Sequence, residues 1–242
     1  MVAGYQKVGR VLAVGSAAPG FAAGDWVFAS MSRVCGMFDN QFAGHVSPSV
    51  CHHQSVQLLP AGADPLAFAG LVLTQVGYNC GSRAPIEQDQ TAVVVGDGLV
   101  GQWAGQTLAR RGARVVMIGR HEARLARFRP HGKTLLSGPD HGVTGMRALG
   151  LGPIQVLVET VGSVAAMEGY LPLMNRGGHM IIAGFYQPAG EVNLQQNLQS
   201  FRNREISFHL ASGATRERLD ETLRWVADGR LDTLGCLTHR FP

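Results

Sequence analysis

The stretch VVVGDGLVGQWAGQTLARRGARVVMIGRH, Val93 to His121, decides how the rest of the chain is read. It opens as a run of valines and turns through Gly96, Gly98 and Gly101 at GxGxxG spacing. Val100, Trp103, Ala104, Thr107 and Leu108 then recur at helical period, and ARVVMIG forms a second apolar run. Strand, glycine turn, helix and strand is the context in which this pattern binds a dinucleotide. Gly96 permits the tight turn, Gly98 lets the main chain approach a pyrophosphate with no β-carbon in the way, and Gly101 lets helix and strand pack closely. The helix N-terminus at Leu99 and Val100 offers free N–H groups to the phosphates.

The second run ends about 20 residues after the turn, where an NAD enzyme places Asp or Glu on the ribose hydroxyls. Here stand Gly119, Arg120 and His121. Gly119 is expected to leave room, and Arg120 with Arg124 to supply charge for a 2′-phosphate. NADP is therefore expected, with NAD as the alternative. The planar donor fork of arginine suits a phosphate. The plainer reading of both arginines is a solvated helix start. A methyltransferase binding S-adenosylmethionine shares the glycine turn but wants an acid at the end of the second strand, and Glu122 comes too late to serve.

Outward from this stretch, TAVVVG, ARVVMIG, IQVLVETVG, HMIIAGF and EISFHLAS are short continuous apolar runs separated by helix-length segments. Strands buried on both faces of a parallel sheet read this way. Right-handed crossovers then make a doubly wound α/β sheet, a Rossmann fold, the expected architecture. Before it, YQKVGRVLAVGSAAPGFAAGDWVFAS alternates as short β-strands with glycine turns. Asp64 before Pro65 reads as the N-cap of a helix through DPLAFAGLVLTQVGYNC. Near the end, ATRERLDETLRWVADGRL places Leu219, Leu223, Val226 and Leu231 near one helical face, and GCLTHRFP reads as one more strand.

Composition narrows the function class. The chain has 242 residues, 45% of them hydrophobic and 16% charged. No apolar run approaches the roughly 18 residues needed to span a bilayer. The net charge of +4 is mild, so neither membrane nor nucleic acid is an expected partner. The N-terminus lacks an apolar core followed by a cleavage site, and a cytoplasmic location is expected. Cys35, Cys51, Cys80 and Cys236 lack paired spacing, a poor framework for disulfides or a structural zinc, and reduced, packed cysteines are expected.

The order of segments, from GYQKVGRVLAVGSAAPGFAAGDWVF through VVVGDGLVG, VLVETVGS and RGGHMIIAGFY to GRLDTLGCLTHR, resembles the medium-chain dehydrogenase/reductase superfamily, the zinc alcohol dehydrogenase-like group. AGFY and LTHR look most like its bacteriochlorophyllide hydroxyethyl dehydrogenase branch. The resemblance implies a partial β-rich, GroES-like substrate domain, residues 1–75 rejoined by 213–242, and a dinucleotide domain at 76–212. It places Val76, Thr160, Val161, Gly184, Phe185 and Tyr186 beside the cofactor. It also implies a homodimer formed through the edge of the sheet at EISFHLAS.

Two departures from the family's pattern carry chemistry. Zinc members have a ligand His in Gly-His-Glu and a ligand Cys on the connecting helix, whereas this chain has Gly4-Tyr5-Gln6 and Val72. No catalytic zinc is expected, and Tyr5 becomes the candidate catalytic residue, a hydroxyl that stabilises the developing oxyanion. CHH, Cys51 to His53, is not expected to chelate metal, because neighbours on a strand face opposite sides. The second departure is length: family members have about fifty more residues before this point, so the chain is expected to begin and end inside the substrate domain. The expected function is zinc-free hydride transfer between NADP(H) and a small secondary alcohol or ketone. An enoyl or quinone reductase and a non-catalytic cofactor-binding fragment are the alternatives.

Overall fold

The computed structural model describes residues 4–30, 32, 44–184 and 194–239, with the backbone alone at 194–197. The chain forms two compact units, one of residues 1–75 with 214–242 and one of residues 76–213.

In the second unit, β4 (Thr91–Val95), β5 (Arg114–Gly119), β6 (Lys133–Leu136), β7 (Ile154–Glu159), β8 (Met174–Ile182) and β9 (Ser207–Leu210) form one sheet in the order β6-β5-β4-β7-β8-β9. Every neighbouring pair is parallel. The continuous apolar runs have a physical cause here, because both faces are covered. Val94, Met117, Val158 and Ile181 face Ala104 and Leu108 of α2 (Leu99–Arg110) and Leu125 and Phe128 of α3 (Glu122–Phe128). Val93, Ile118, Leu157 and Met180 face Met146 of α4 (Val143–Ala148) and Ala166 and Tyr170 of α5 (Val164–Tyr170). The strand order reverses between β4 and β7, and such a reversal opens a crevice at the carboxyl ends of the two strands. This is the doubly wound architecture the apolar runs predict. β6, however, was not among those runs: KTLL is four residues long with an exposed Lys133, as an edge strand tolerates.

In the first unit, β1 (Lys7–Arg10), β2 (Trp26–Ala29) and β3 (Val56–Leu58) form an antiparallel sheet. Asp64 is a cap, its carboxylate accepting the Leu66 N–H at 2.9 Å. What it caps is a short 3₁₀ turn, Pro65–Phe68, and α1 begins only at Leu71 and runs to Ser82. Helix α7 (Arg216–Ala227) buries Leu219, Leu223 and Val226. The chain leaves it through Gly229, whose φ of +68° suits glycine. Leu231 is buried from beyond the helix, not on it. GCLTHR is not a strand among the described residues: Leu234–Cys236 form a 3₁₀ turn, the following residues pair with no strand, and 240–242 lie outside the described residues. An apolar residue can be buried from a turn as well as from a strand, and pattern alone does not separate the two.

Candidate cofactor-binding site

The glycine turn joins β4 to α2. Gly96 has a φ of +119°, and a β-carbon there would run into the Thr160 hydroxyl. A β-carbon on Gly101 would run into the Gly96 carbonyl, so this glycine lets α2 sit against the turn. Gly98 is different: a β-carbon there would meet nothing within 4 Å. The first bond of the α2 ladder near the turn runs from the Gln102 N–H to the Gly98 carbonyl at 2.9 Å. The N–H groups of Leu99, Val100 and Gly101 therefore have no acceptor within the helix and point, with its positive dipole end, into that open space. This is the form of an anion site at a helix N-terminus.

The loop after β7 lies against the turn. Thr160 donates both its N–H (3.0 Å) and its hydroxyl (2.9 Å) to the Val95 carbonyl. Val161 is 48% exposed and Leu99 40%, so two apolar side chains stand open beside the glycines. Glu159, which the sequence reading passed over, organises this loop. It is fully buried, and its carboxylate accepts the N–H groups of Val161 (2.8 Å), Gly162 (3.1 Å) and Ser163 (3.3 Å). Its own carbonyl accepts from Ala183 (2.9 Å) and Gly184 (3.2 Å), joining the end of β8 to the same point. A β-carbon on Gly184 would strike Gly162 and the Glu159 carboxylate. Thr160, Val161 and Gly184 are thus brought together with Gly96. Phe185 and Tyr186 lie outside the described residues. Val76, on α1, is half-buried against the face of the sheet that carries Val94.

At the end of β5 one expectation is overturned. Gly119 does not leave room for a ligand, because the side chain of Asp97, the middle residue of the turn itself, fills the space a β-carbon would take. Asp97 Oδ2 accepts the His121 N–H at 2.7 Å and lies 3.0 Å from His121 Nδ1, while Oδ1 lies 3.5 Å from an Arg124 guanidinium nitrogen. Burial alone would raise this carboxyl. The His121 N–H and ring, with the Arg124 charge, outweigh it and hold Asp97 below the usual carboxylate range. An acid therefore does reach the end of the second strand, from the loop after the first. The argument against a methyltransferase from a missing acid fails with it. Arg124 is partly engaged; Arg120 is exposed and has no hydrogen bond or ion pair among the described residues. Gln102 braces the cluster, its amide donating to the Arg124 carbonyl at 2.9 Å.

In the first unit, Tyr5 is 38% exposed. Gln6 Oε1 accepts the Val72 N–H at 2.9 Å, which ties the segment carrying Tyr5 to the start of α1, where Val72 stands. Neither Tyr5 nor Val72 offers a zinc-binding group. Among the described residues no three His, Cys, Asp or Glu side chains gather as a metal site, and Cys35 lies outside them. The CHH segment is a turn and not a strand: His52 Nδ1 accepts the Gln54 N–H at 3.3 Å, and the His52 and His53 rings are 4.6 Å apart. The strand argument against chelation there is therefore incorrect.

Residues 100–228 match the model of the zinc-binding dehydrogenase family, a span that holds α2 and the strands from β5 onward. The chain belongs to the zinc-binding dehydrogenase family. It is 28% identical over 212 residues to L-galactonate-5-dehydrogenase of Escherichia coli K12, an alignment covering 84% of this chain. The chain spans 58% of the length of that relative. Among solved structures, it shares its fold with a zinc-binding dehydrogenase of Sinorhizobium meliloti 1021 bound to NADP (TM-score 0.77, 18% identity, 93% of this chain and 72% of that one). It also shares it with an alcohol dehydrogenase of E. coli CFT073 complexed with NADH (TM-score 0.79, 16% identity, 97% and 74%). No helix among the described residues is long and apolar enough to cross a membrane.

Proposed function

We propose that the chain is an NADP(H)-dependent oxidoreductase that moves hydride between the nicotinamide and a secondary alcohol or its ketone, without a catalytic zinc. The observation that carries this reading is the open space over Gly98 at the head of α2, together with the exposed Arg120 at the end of β5, which is unpaired among the described residues. The turn and the α2 N–H groups hold the diphosphate, Arg120 reads the 2′-phosphate, and Thr160, Val161 and Gly184 shape the floor toward the nicotinamide. When bound, the cofactor supplies or accepts the hydride. The names of the relatives support this reading: one is a dehydrogenase of a polyhydroxy acid, and among those sharing the fold one holds NADP and another NADH. The bacteriochlorophyllide-type branch stays part of the proposal as the finer assignment.

Tyr5 and Val72 at the implied ligand positions support a zinc-free site. In it the Tyr5 hydroxyl donates the hydrogen bond that a metal would otherwise replace. A homodimer through β9 is likewise proposed, supported by the exposed Phe208 and Leu210 on that edge strand.

Fluorescence titration with NADPH and NADH tests the cofactor reading. NADPH should bind at least about tenfold more weakly to Arg120→Ala, with NADH unchanged, as loss of a charge-assisted phosphate contact requires. Equal losses for both nucleotides would remove Arg120 from phosphate reading. Tyr5→Phe should lower turnover by about tenfold or more with nucleotide affinity preserved. Unchanged turnover in that variant would remove Tyr5 from the mechanism.

A further inference from the structure

The adenosine end of the proposed site carries three charged side chains, and they are not equivalent. Arg120 is exposed and unpaired among the described residues; Arg124 stands 3.5 Å from Asp97. The Asp97 carboxylate cannot readily turn away, because it is nearly buried and is tied to the His121 N–H at 2.7 Å and the His121 ring at 3.0 Å. The start of α3 is fixed as well, by the Gln102 amide on the Arg124 carbonyl. A phosphate approaching Arg124 therefore meets a guanidinium already facing a fixed negative charge, and that charge repels it.

We infer that Asp97 tunes cofactor selectivity by engaging Arg124, which leaves Arg120 as the arginine that reads a 2′-phosphate and makes the preference for NADP(H) over NAD(H) smaller than two free arginines would give. Asp97 is in this sense a positioning and charge-balancing residue, not one that touches the ligand. The inference rests on the dinucleotide reading above. One acid inside the glycine turn thus cancels one of the two arginines at the adenosine end.

The test is a titration of the full chain with NADPH and with NADH at low ionic strength, for wild type, Asp97→Asn, Arg124→Ala and the double variant. Asparagine keeps the shape and an acceptor for the His121 N–H while removing the charge. Asp97→Asn should raise the NADPH-to-NADH affinity ratio about fivefold, the scale of one partly exposed charge pair. Arg124→Ala alone should lower the ratio about fivefold, because it leaves the Asp97 charge uncompensated, and added to Asp97→Asn it should return the ratio to that of wild type. A ratio that is unchanged or falls in Asp97→Asn overturns the inference. So does an unchanged ratio in Arg124→Ala alone, a measurement that stands even if Asp97→Asn does not fold. Absence of binding of either nucleotide to folded wild type overturns the dinucleotide reading itself, and this inference with it.

Discussion

Two loops meet where the strand order reverses, and they are built on opposite principles. The loop after β4 takes its shape from missing side chains: Gly96 and Gly101 are glycines because a β-carbon would strike Thr160 or the Gly96 carbonyl. The loop after β7 takes its shape from a side chain that is present, the buried carboxylate of Glu159 gathering three N–H groups. The difference teaches that a loop can be held open for a ligand either by leaving atoms out or by tying its backbone down from below. In the first case the information lies in the loop; in the second it lies at the end of a strand.

The hardest test of this contrast is Glu159→Ala. Three loop N–H groups would lose their acceptor and the space of a fully buried side chain would be emptied, so stability should fall by about 3 kcal/mol. For a chain of this size that is a drop of roughly 10 °C in Tm. Nucleotide affinity should fall with it, as the Thr160–Ser163 loop loosens. A Tm within a degree or two of wild type would show that the loop after β7 does not need its carboxylate.

The two glycines of the other loop should then separate cleanly. Gly101→Ala presses a methyl into the Gly96 carbonyl and should cost about 1–3 kcal/mol, read as an earlier denaturation midpoint. Gly98→Ala places the same methyl in open space, with a φ of −73° that alanine accepts. Its stability should stay within about 0.5 kcal/mol of wild type, while affinity for either nucleotide falls about tenfold, since the methyl stands where the diphosphate approaches. Equal loss of stability in both variants would erase the distinction between a glycine kept for packing and one kept for a ligand.

The legibility of the site followed the same division. Gly96, Gly98 and Gly101 were readable because the signal is local: a turn, a helix start and two strands within one stretch of chain. Asp97 stood in plain view inside that stretch and was still missed, since its partner His121 is 24 residues away and its role depends on β5 lying beside β4. Glu159 was equally visible as an acid ending an apolar run, a signal that could have been used: a charge at the end of a buried strand must find partners. The final segment failed for a different reason. Apolar residues in GCL are buried, as Cys236 is, but a strand also needs a neighbour to pair with, and sequence alone does not supply one.

By itself, the sequence determined the doubly wound unit, because apolar runs buried on both faces and a glycine turn between strand and helix leave few other ways to satisfy the backbone. It also determined the turn proposed to hold the diphosphate, since the shape of that turn depends on atoms absent from one short stretch. Tertiary structure alone decided what stands at the end of β5, an acid reaching across from the neighbouring strand's loop to meet one of two arginines. Charge pairing acts over a few ångströms of space and is indifferent to separation along the chain, so it became visible only once β4 and β5 were side by side.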